Sequence, residues 1–184
     1  IRDRVSCLVG SEMCIRDSDG IEYPLDVLIY ATGFQWMATA TFNMIRGRDG
    51  MTLQEKWREG GTRTFLGIHS KGFPNLFIIS GPQGGGGSFN FTDAIDQHAD
   101  YVVWMLETMR ARGNTVVDIH KEPEEKYAEH CRVADITTAP LRDCLSYYNG
   151  HGDAEPGSLA YYGGGIWHRL RKRAQESLEP YVFE

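Results

Sequence analysis

The residues with the clearest chemical promise in this chain are glycines and their immediate neighbours. Gly81-Pro82-Gln83-Gly84 runs on through Gly85, Gly86, Gly87 and Ser88 and opens into Asn90-Phe91-Thr92-Asp93. Earlier, the apolar run Asp26-Val27-Leu28-Ile29-Tyr30 ends in Ala31-Thr32-Gly33-Phe34. Glycine lets backbone approach a ligand with no Cβ in the way. A helix starting just after such a loop offers unpaired N–H groups and the positive end of its dipole. The chemistry this order suits is the binding of an anionic group. Each glycine alone reads as a turn; the succession of buried strand, small-residue loop and helix start is the feature that points to a ligand.

Self-sufficient catalytic motifs are missing. There is no G-x-x-x-x-G-K-[ST] phosphate loop and no G-x-S-x-G elbow. Gly84-x-Gly86 reaches Phe89, and Gly163-x-Gly165 reaches His168, where a third glycine would complete G-x-G-x-x-G. His130-Cys131 with Cys144 lacks metal-ligand spacing, so no metal site is expected, and nothing pairs a cysteine with a histidine for nucleophilic work. The basic run His168 to Arg173 reads as a solvated helix face.

The elements that must position the glycines are read from pattern. The chain has 184 residues, enough for one domain with a core and part of another. Its net charge of -6 argues against a nucleic-acid partner, and its apolar runs are too short for a membrane span. Four cysteines without zinc spacing suggest free thiols, a reducing compartment and a cytoplasmic protein. Ile1 to Ser18 has no usable period and resembles translated adapter DNA, so it is expected to be a non-native segment ahead of a domain at 19–184. Asp19-Gly20 is a tight turn that should join two strands.

Residues 26–31 predict a strand buried on both faces, and Thr52 with Glu55 predicts a capped helix near 52–59. Two short strands are expected at 64–68 and 75–80. Ile95, Ala99, Val102, Val103, Leu106 and Met109 predict a helix over 93–112, with Asn90 or Thr92 as N-cap and Gly113 as stop. A strand at 115–119, an acidic helix at 122–134 and a basic helix at 166–177 complete the expectation.

With these residues in order, a resemblance emerges. Asp26-Val-Leu-Ile-Tyr-Ala-Thr-Gly-Phe34 resembles the late "DVIxATGF" motif of flavin-dependent monooxygenases of the Baeyer–Villiger and related classes. Arg46-Gly-Arg-Asp-Gly50, Leu53 to Trp57, Thr64-Phe-Leu-Gly67 and Gly72-Phe-Pro-Asn-Leu-Phe77 continue in register. Gly81-Pro82 and Asn90 to Gln97 are similar to the family's "GPxxxxxxNxxxxIExQ", with Asp96 in place of Glu. Ser146-Tyr-Tyr-Asn149, Gly163-Gly164 and the final helix fit as well, so the resemblance covers essentially all of 19–184.

The resemblance implies an α/β fold, the C-terminal part of a flavoprotein with two dinucleotide-binding domains. It implies FAD and NADP as cofactors, and insertion of one oxygen atom of O2 next to the carbonyl of a small-molecule ketone. It places Ala31, Thr32 and Gly33 near the cofactors, and Gly81, Pro82, Asn90, Phe91 and Asp93 against the flavin. Phe89 and Phe91 would form the substrate-side wall. Tyr147 stands where many members carry a tryptophan in the loop that closes over the nicotinamide. The two glycine fingerprints, the "FxGxxxHxxxW" signature and the catalytic arginine lie upstream in the family and are not in this chain, so its catalytic residues are unassigned. Alone it is expected neither to hold FAD tightly nor to turn over. An N- or S-hydroxylating flavin monooxygenase and a non-catalytic α/β binding module are the alternatives.

Overall fold

The computed structural model describes residues 14–16, 19–30, 40–84, 90–134 and 165–184. The chain divides into two compact units, Ile1–Phe34 and Gln35–Glu184. In the first, β1 (Cys14–Arg16) pairs antiparallel with β2 (Glu22–Pro24), Ile15 opposite Tyr23. Gly20, at φ 80°, supplies the left-handed residue of the turn between them. The hairpin expected at Asp19-Gly20 is thus present, and its first strand falls inside the segment read as lacking strand character. The buried strand expected at 26–31 is not found. Residues 26–30 join no strand, and Val27, Ile29 and Tyr30 are 70%, 83% and 68% exposed. An apolar strand is buried only when neighbours cover it, and the described residues provide none; Ala31 lies outside them.

The second unit carries α1 (Ala40–Met44), α2 (Leu53–Gly60), α3 (Phe91–Arg112), β3 (Val117–Ile119), α4 (Lys121–Ala134), α5 (Gly165–Ser177) and β4 (Tyr181–Phe183). β3 and β4 form an antiparallel pair, Asp118 opposite Val182. α2 begins as its sequence demands. The Thr52 hydroxyl accepts from the Glu55 N–H at 3.1 Å, and the Glu55 carboxylate accepts from the Thr52 N–H at 2.7 Å. Those hydrogen bonds from Thr52 hold the Glu55 carboxyl below its usual range. Leu53 and Trp57 on its inner face pack with Phe73 in a small core, and Phe42 meets Trp57 edge-on.

The strands expected at 64–68 and 75–80 are loops. Leu66 (φ 58°), Asn75 (φ 59°) and Ser80 (φ 49°) are left-handed, a conformation that interrupts a ladder. Only Phe65 and His69 bridge across the first loop. Asn75 docks instead on β3: its side-chain oxygen accepts from Val117 N–H and its amide donates to the Thr115 carbonyl.

α3 spans Phe91–Arg112, capped by Asn90 and ended by Gly113 in the left-handed region. Its buried face differs from the stripe read from sequence. Ala94, His98, Tyr101, Met105 and Met109 face inward, whereas Ile95, Val103 and Leu106 are 37%, 55% and 51% exposed. Both faces carry apolar residues, and the inward one is selected by a polar network that periodicity does not register. His69 Nε2 lies 2.9 Å from the Tyr101 hydroxyl, which lies 2.7 Å from that of Tyr181 on β4. Around this network pack Phe65, Leu66, Ile68, Met105, Val117, Ile119, Tyr127 and Trp167. A second polar tie joins α2 to α4, where Lys56 Nζ donates to Glu124 at 2.7 Å while Glu124 also accepts from Lys71 N–H at 2.8 Å.

The outer stripe of α3 leaves the isolated chain prone to self-association. Val103→Lys with Leu106→Glu should lower light scattering and sedimenting aggregate markedly, while changing unfolding free energy by less than about 1 kcal/mol, as exposed substitutions do. Equal aggregation in the variant would acquit the stripe.

Candidate functional site

Residues 81–84, ahead of α3, are tied to several other parts of the second unit. Gln83, left-handed at φ 60°, is 2% exposed although it is an amide. Its side-chain oxygen accepts from the Thr64 N–H (3.0 Å) and hydroxyl (2.8 Å), and its side-chain nitrogen donates to the Thr62 carbonyl (2.9 Å). Its backbone carbonyl accepts from the Tyr127 hydroxyl of α4 at 2.8 Å. The Gly84 N–H donates to the Gly81 carbonyl at 3.1 Å. Gly67 and Gly84 meet backbone to backbone, and a Cβ on Gly67, itself at φ 70°, would fall 2.2 Å from the Gly84 Cα. Only glycine fits that crossing.

At the front of the loop, the Ser80 N–H donates to His98 Nδ1 at 3.1 Å. That bond makes Nδ1 an acceptor, so in the neutral ring Nε2 carries the hydrogen. Among the described residues this buried Nε2–H has no partner. Burial first, and then the Arg171 charge, press the His98 pKa down to about 4; burial alone takes His69 to about 3. The same burial pushes the Tyr101 and Tyr181 phenols up. The His98 ring lies 5.3 Å from that of Trp167 on α5, and the Trp167 indole N–H donates to the Leu66 carbonyl at 2.9 Å. α3, α5 and the loop around Gly67 therefore converge on one glycine crossing.

Beyond the loop lies the helix start. The Asn90 side-chain oxygen accepts from the Thr92 N–H at 3.0 Å, and Asn90, Phe91, Thr92 and Asp93 are all exposed. The Asp93 carboxylate is engaged by the Gln97 amide one turn on. Of the residues expected at the site, Gly81 and Pro82 lie in the anchored loop; Pro82 is fully buried and Gly81 is half-buried. Asn90, Phe91 and Asp93 form the open first turn. Ala31, Thr32, Gly33, Phe89 and Tyr147 lie outside the described residues. Sequence reasoning missed Gln83 as an anchor, along with His98 and Tyr127; a lone glutamine among glycines was the one available signal.

Among the described residues no group of histidine, cysteine or acidic side chains could hold a metal ion, and no helix is long and apolar enough to cross a membrane. Cys131 is buried in the core. A cavity of about 560 Å³ lies elsewhere, between α4 and α5, against Phe65, Tyr127, Leu170 and Ala174. The features that favour an acceptor-bearing ligand remain at the loop and the α3 start.

An open helix start behind an anchored glycine loop, on a mixed helix and strand scaffold, is the class of site that nucleotide cofactors use. No protein-family model matches the chain. It is 35% identical over 164 residues to a Baeyer–Villiger monooxygenase of Streptomyces coelicolor, a match covering 84% of this chain and 26% of that protein. It is 29% identical to the phenazine N-monooxygenase PhzNO1 of Lysobacter antibioticus, covering 89% of this chain and 30% of that one. The structure of OTEMO complexed with FAD and NADP superposes with a TM-score of 0.73 at 25% identity, over 92% of this chain and 32% of the other. The chain belongs to the Baeyer–Villiger monooxygenase family, has the fold of part of its two-domain flavoproteins, and spans between a quarter and a third of the length of these relatives.

Two measurements probe the anchored loop. Unfolded histidines titrate near 6.5, so between about pH 4 and 6.5 the unfolded chain binds more protons than the folded one. Stability is then complete above pH 6.5 and falls as pH drops. Urea unfolding at pH 7 and pH 5 should differ by about 2 kcal/mol for each of His69 and His98, with His98→Gln removing roughly half the difference; a flat profile would mean that neither ring is held neutral. Separately, Gly67→Ala should cost at least about 2 kcal/mol through its left-handed φ and the collision with Gly84, and an unchanged midpoint would show that the crossing can open.

Proposed function

We propose that the chain is the carboxy-terminal part of an FAD- and NADPH-dependent monooxygenase. The reaction inserts one oxygen atom of O2 beside the carbonyl of a small-molecule ketone to give an ester or lactone. The observation that carries this reading is the exposed first turn of α3, set behind a loop fixed by Gln83, in a chain 35% identical to a Baeyer–Villiger monooxygenase.

The residues fit a flavin on physical grounds. The first turn of α3 offers N–H groups and a positive dipole end to the electron-rich edge of a ring system, and Asn90 leaves its side-chain amide N–H groups without a partner among the described residues. FAD, when bound, supplies the oxygen-activating redox chemistry with electrons from NADPH. In this reading the N–H groups of Phe91 and Asp93 stabilise negative charge at that edge. The half-buried Gly81 sets the approach, with Pro82 packed beneath it, and the Phe91 ring, with Phe89, excludes water from the ketone side. Ala31 to Gly33 and Tyr147 serve the cofactor and nicotinamide sides. Ile1 to Ser18 is foreign to the enzyme, and the protein works in the cytoplasm.

A second reading, oxygenation at nitrogen, is favoured by the 29% identity to a phenazine N-monooxygenase. A chimera tests both. Residues 19–184 replace the matching quarter of the Streptomyces coelicolor relative, whose own upstream strands pair with the graft. Bound flavin absorbance, ketone-dependent NADPH oxidation and ester product are expected; oxidation of an aromatic N-heterocycle in place of a ketone would select the second reading. A properly folded chimera without flavin would sink both.

A further inference from the structure

We propose that Tyr127, on α4 and far in sequence from the loop, is a positioning residue that sets the shape of the ketone side by holding the Gln83–Gly84 peptide. The proposal rests on the flavin reading above for its functional consequence, though not for its geometry.

Gln83 is fixed at two separate points. Its side chain is tied to Thr62 and Thr64, which fixes where the residue sits. Side-chain bonds alone leave the following peptide plane free to turn. That plane is held at its carbonyl end by the Tyr127 hydroxyl, which donates to the Gln83 carbonyl at 2.8 Å, and at its N–H end by the Gly84 bond to the Gly81 carbonyl at 3.1 Å. Gly84, the next residue, has no side chain to hold it, and glycine is the residue most free to turn. The Tyr127 bond is thus the one of these restraints that comes from a distant element of the chain, while the Gly84 bond to Gly81 is local to the turn.

Tyr127 is well placed for the task. It is 3% exposed, and its ring meets Phe65 edge-on with centroids 6.2 Å apart, so the ring has its own packing independent of the hydroxyl. α4 is in turn held by Glu124, three residues earlier, through Lys56 on α2 and the Lys71 N–H. A helix with an acidic, solvated outer face thus reaches the loop through the Tyr127 hydroxyl.

Tyr127→Phe removes that hydroxyl and keeps the ring. In the full chain bearing Val103→Lys and Leu106→Glu for solubility, amide exchange at Gly84 should accelerate about tenfold, the effect of losing one net hydrogen bond, while Met105 in the middle of α3 stays unchanged. In the chimera the same substitution should raise the ketone KM at least fivefold and increase NADPH consumed without ester product, with kcat moving less than twofold. Unchanged Gly84 exchange would overturn the positioning role outright. Faster exchange with an unaltered KM and coupling would overturn the functional half, leaving the Tyr127 hydroxyl as a structural tie to the loop and nothing more. A chimera that binds no flavin refutes the function proposed above and not the anchoring, which the exchange experiment decides by itself.

Discussion

Gly67 and Gly84 approach so closely that a Cβ on either would overlap the other's backbone, and the second unit is arranged around that approach. The Leu66 carbonyl beside the crossing receives the Trp167 indole N–H and so fixes α5. The His98 ring lies against Gly84 on the other side and receives the Ser80 N–H, which fixes α3. Gln83, one residue earlier, reaches back to Thr62 and Thr64. A larger residue at the crossing would separate α3 from α5 and leave several buried polar groups without partners, and unpaired buried polar groups carry a high free-energy cost.

The polar groups inside the core act as locating pins. His69, Tyr101 and Tyr181 contribute one group each from a loop, a helix and a strand, and their chain of two hydrogen bonds admits one relative placement of the three elements. Apolar packing tolerates rearrangement as long as volume is kept; a buried hydrogen-bonded chain does not. The Lys56–Glu124 pair works similarly at the other end. Burial lowers the Lys56 pKa and the Glu124 charge opposes that shift, so the pair is sustained by its partners in the 70–72 loop as much as by mutual attraction.

Local chemistry was legible in the sequence and tertiary choice was not. Thr52 with Glu55 and Asn90 before α3 were readable because caps are decided within four residues. The Asp19-Gly20 hairpin was readable for the same reason, although its first strand lay in a segment set aside for its lack of period. The stripe Ile95, Val103 and Leu106 misled because α3 is apolar on two sides, and the side facing the core is selected by Tyr101 and His98, residues that a hydrophobicity count discounts. Residues 64–68 and 75–80 have strand-like composition, yet Leu66, Asn75 and Ser80 adopt positive φ under tertiary constraint. At the site, the open helix start was legible from Asn90 and Asp93, while Gln83 and Tyr127 were invisible because their roles depend on partners 19 and 44 residues distant.

The Tyr101–Tyr181 bond spans 80 residues of chain. Helices form in about a microsecond from local contacts alone, whereas closure of so long a loop waits on diffusion and on synthesis of everything between. α3 therefore exists for a time with Tyr101 bare on one side and Val103 and Leu106 bare on the other. Newly made chains in that interval offer one another a sticky rod, and the yield of native protein depends on how crowded they are while residue 181 is still on its way.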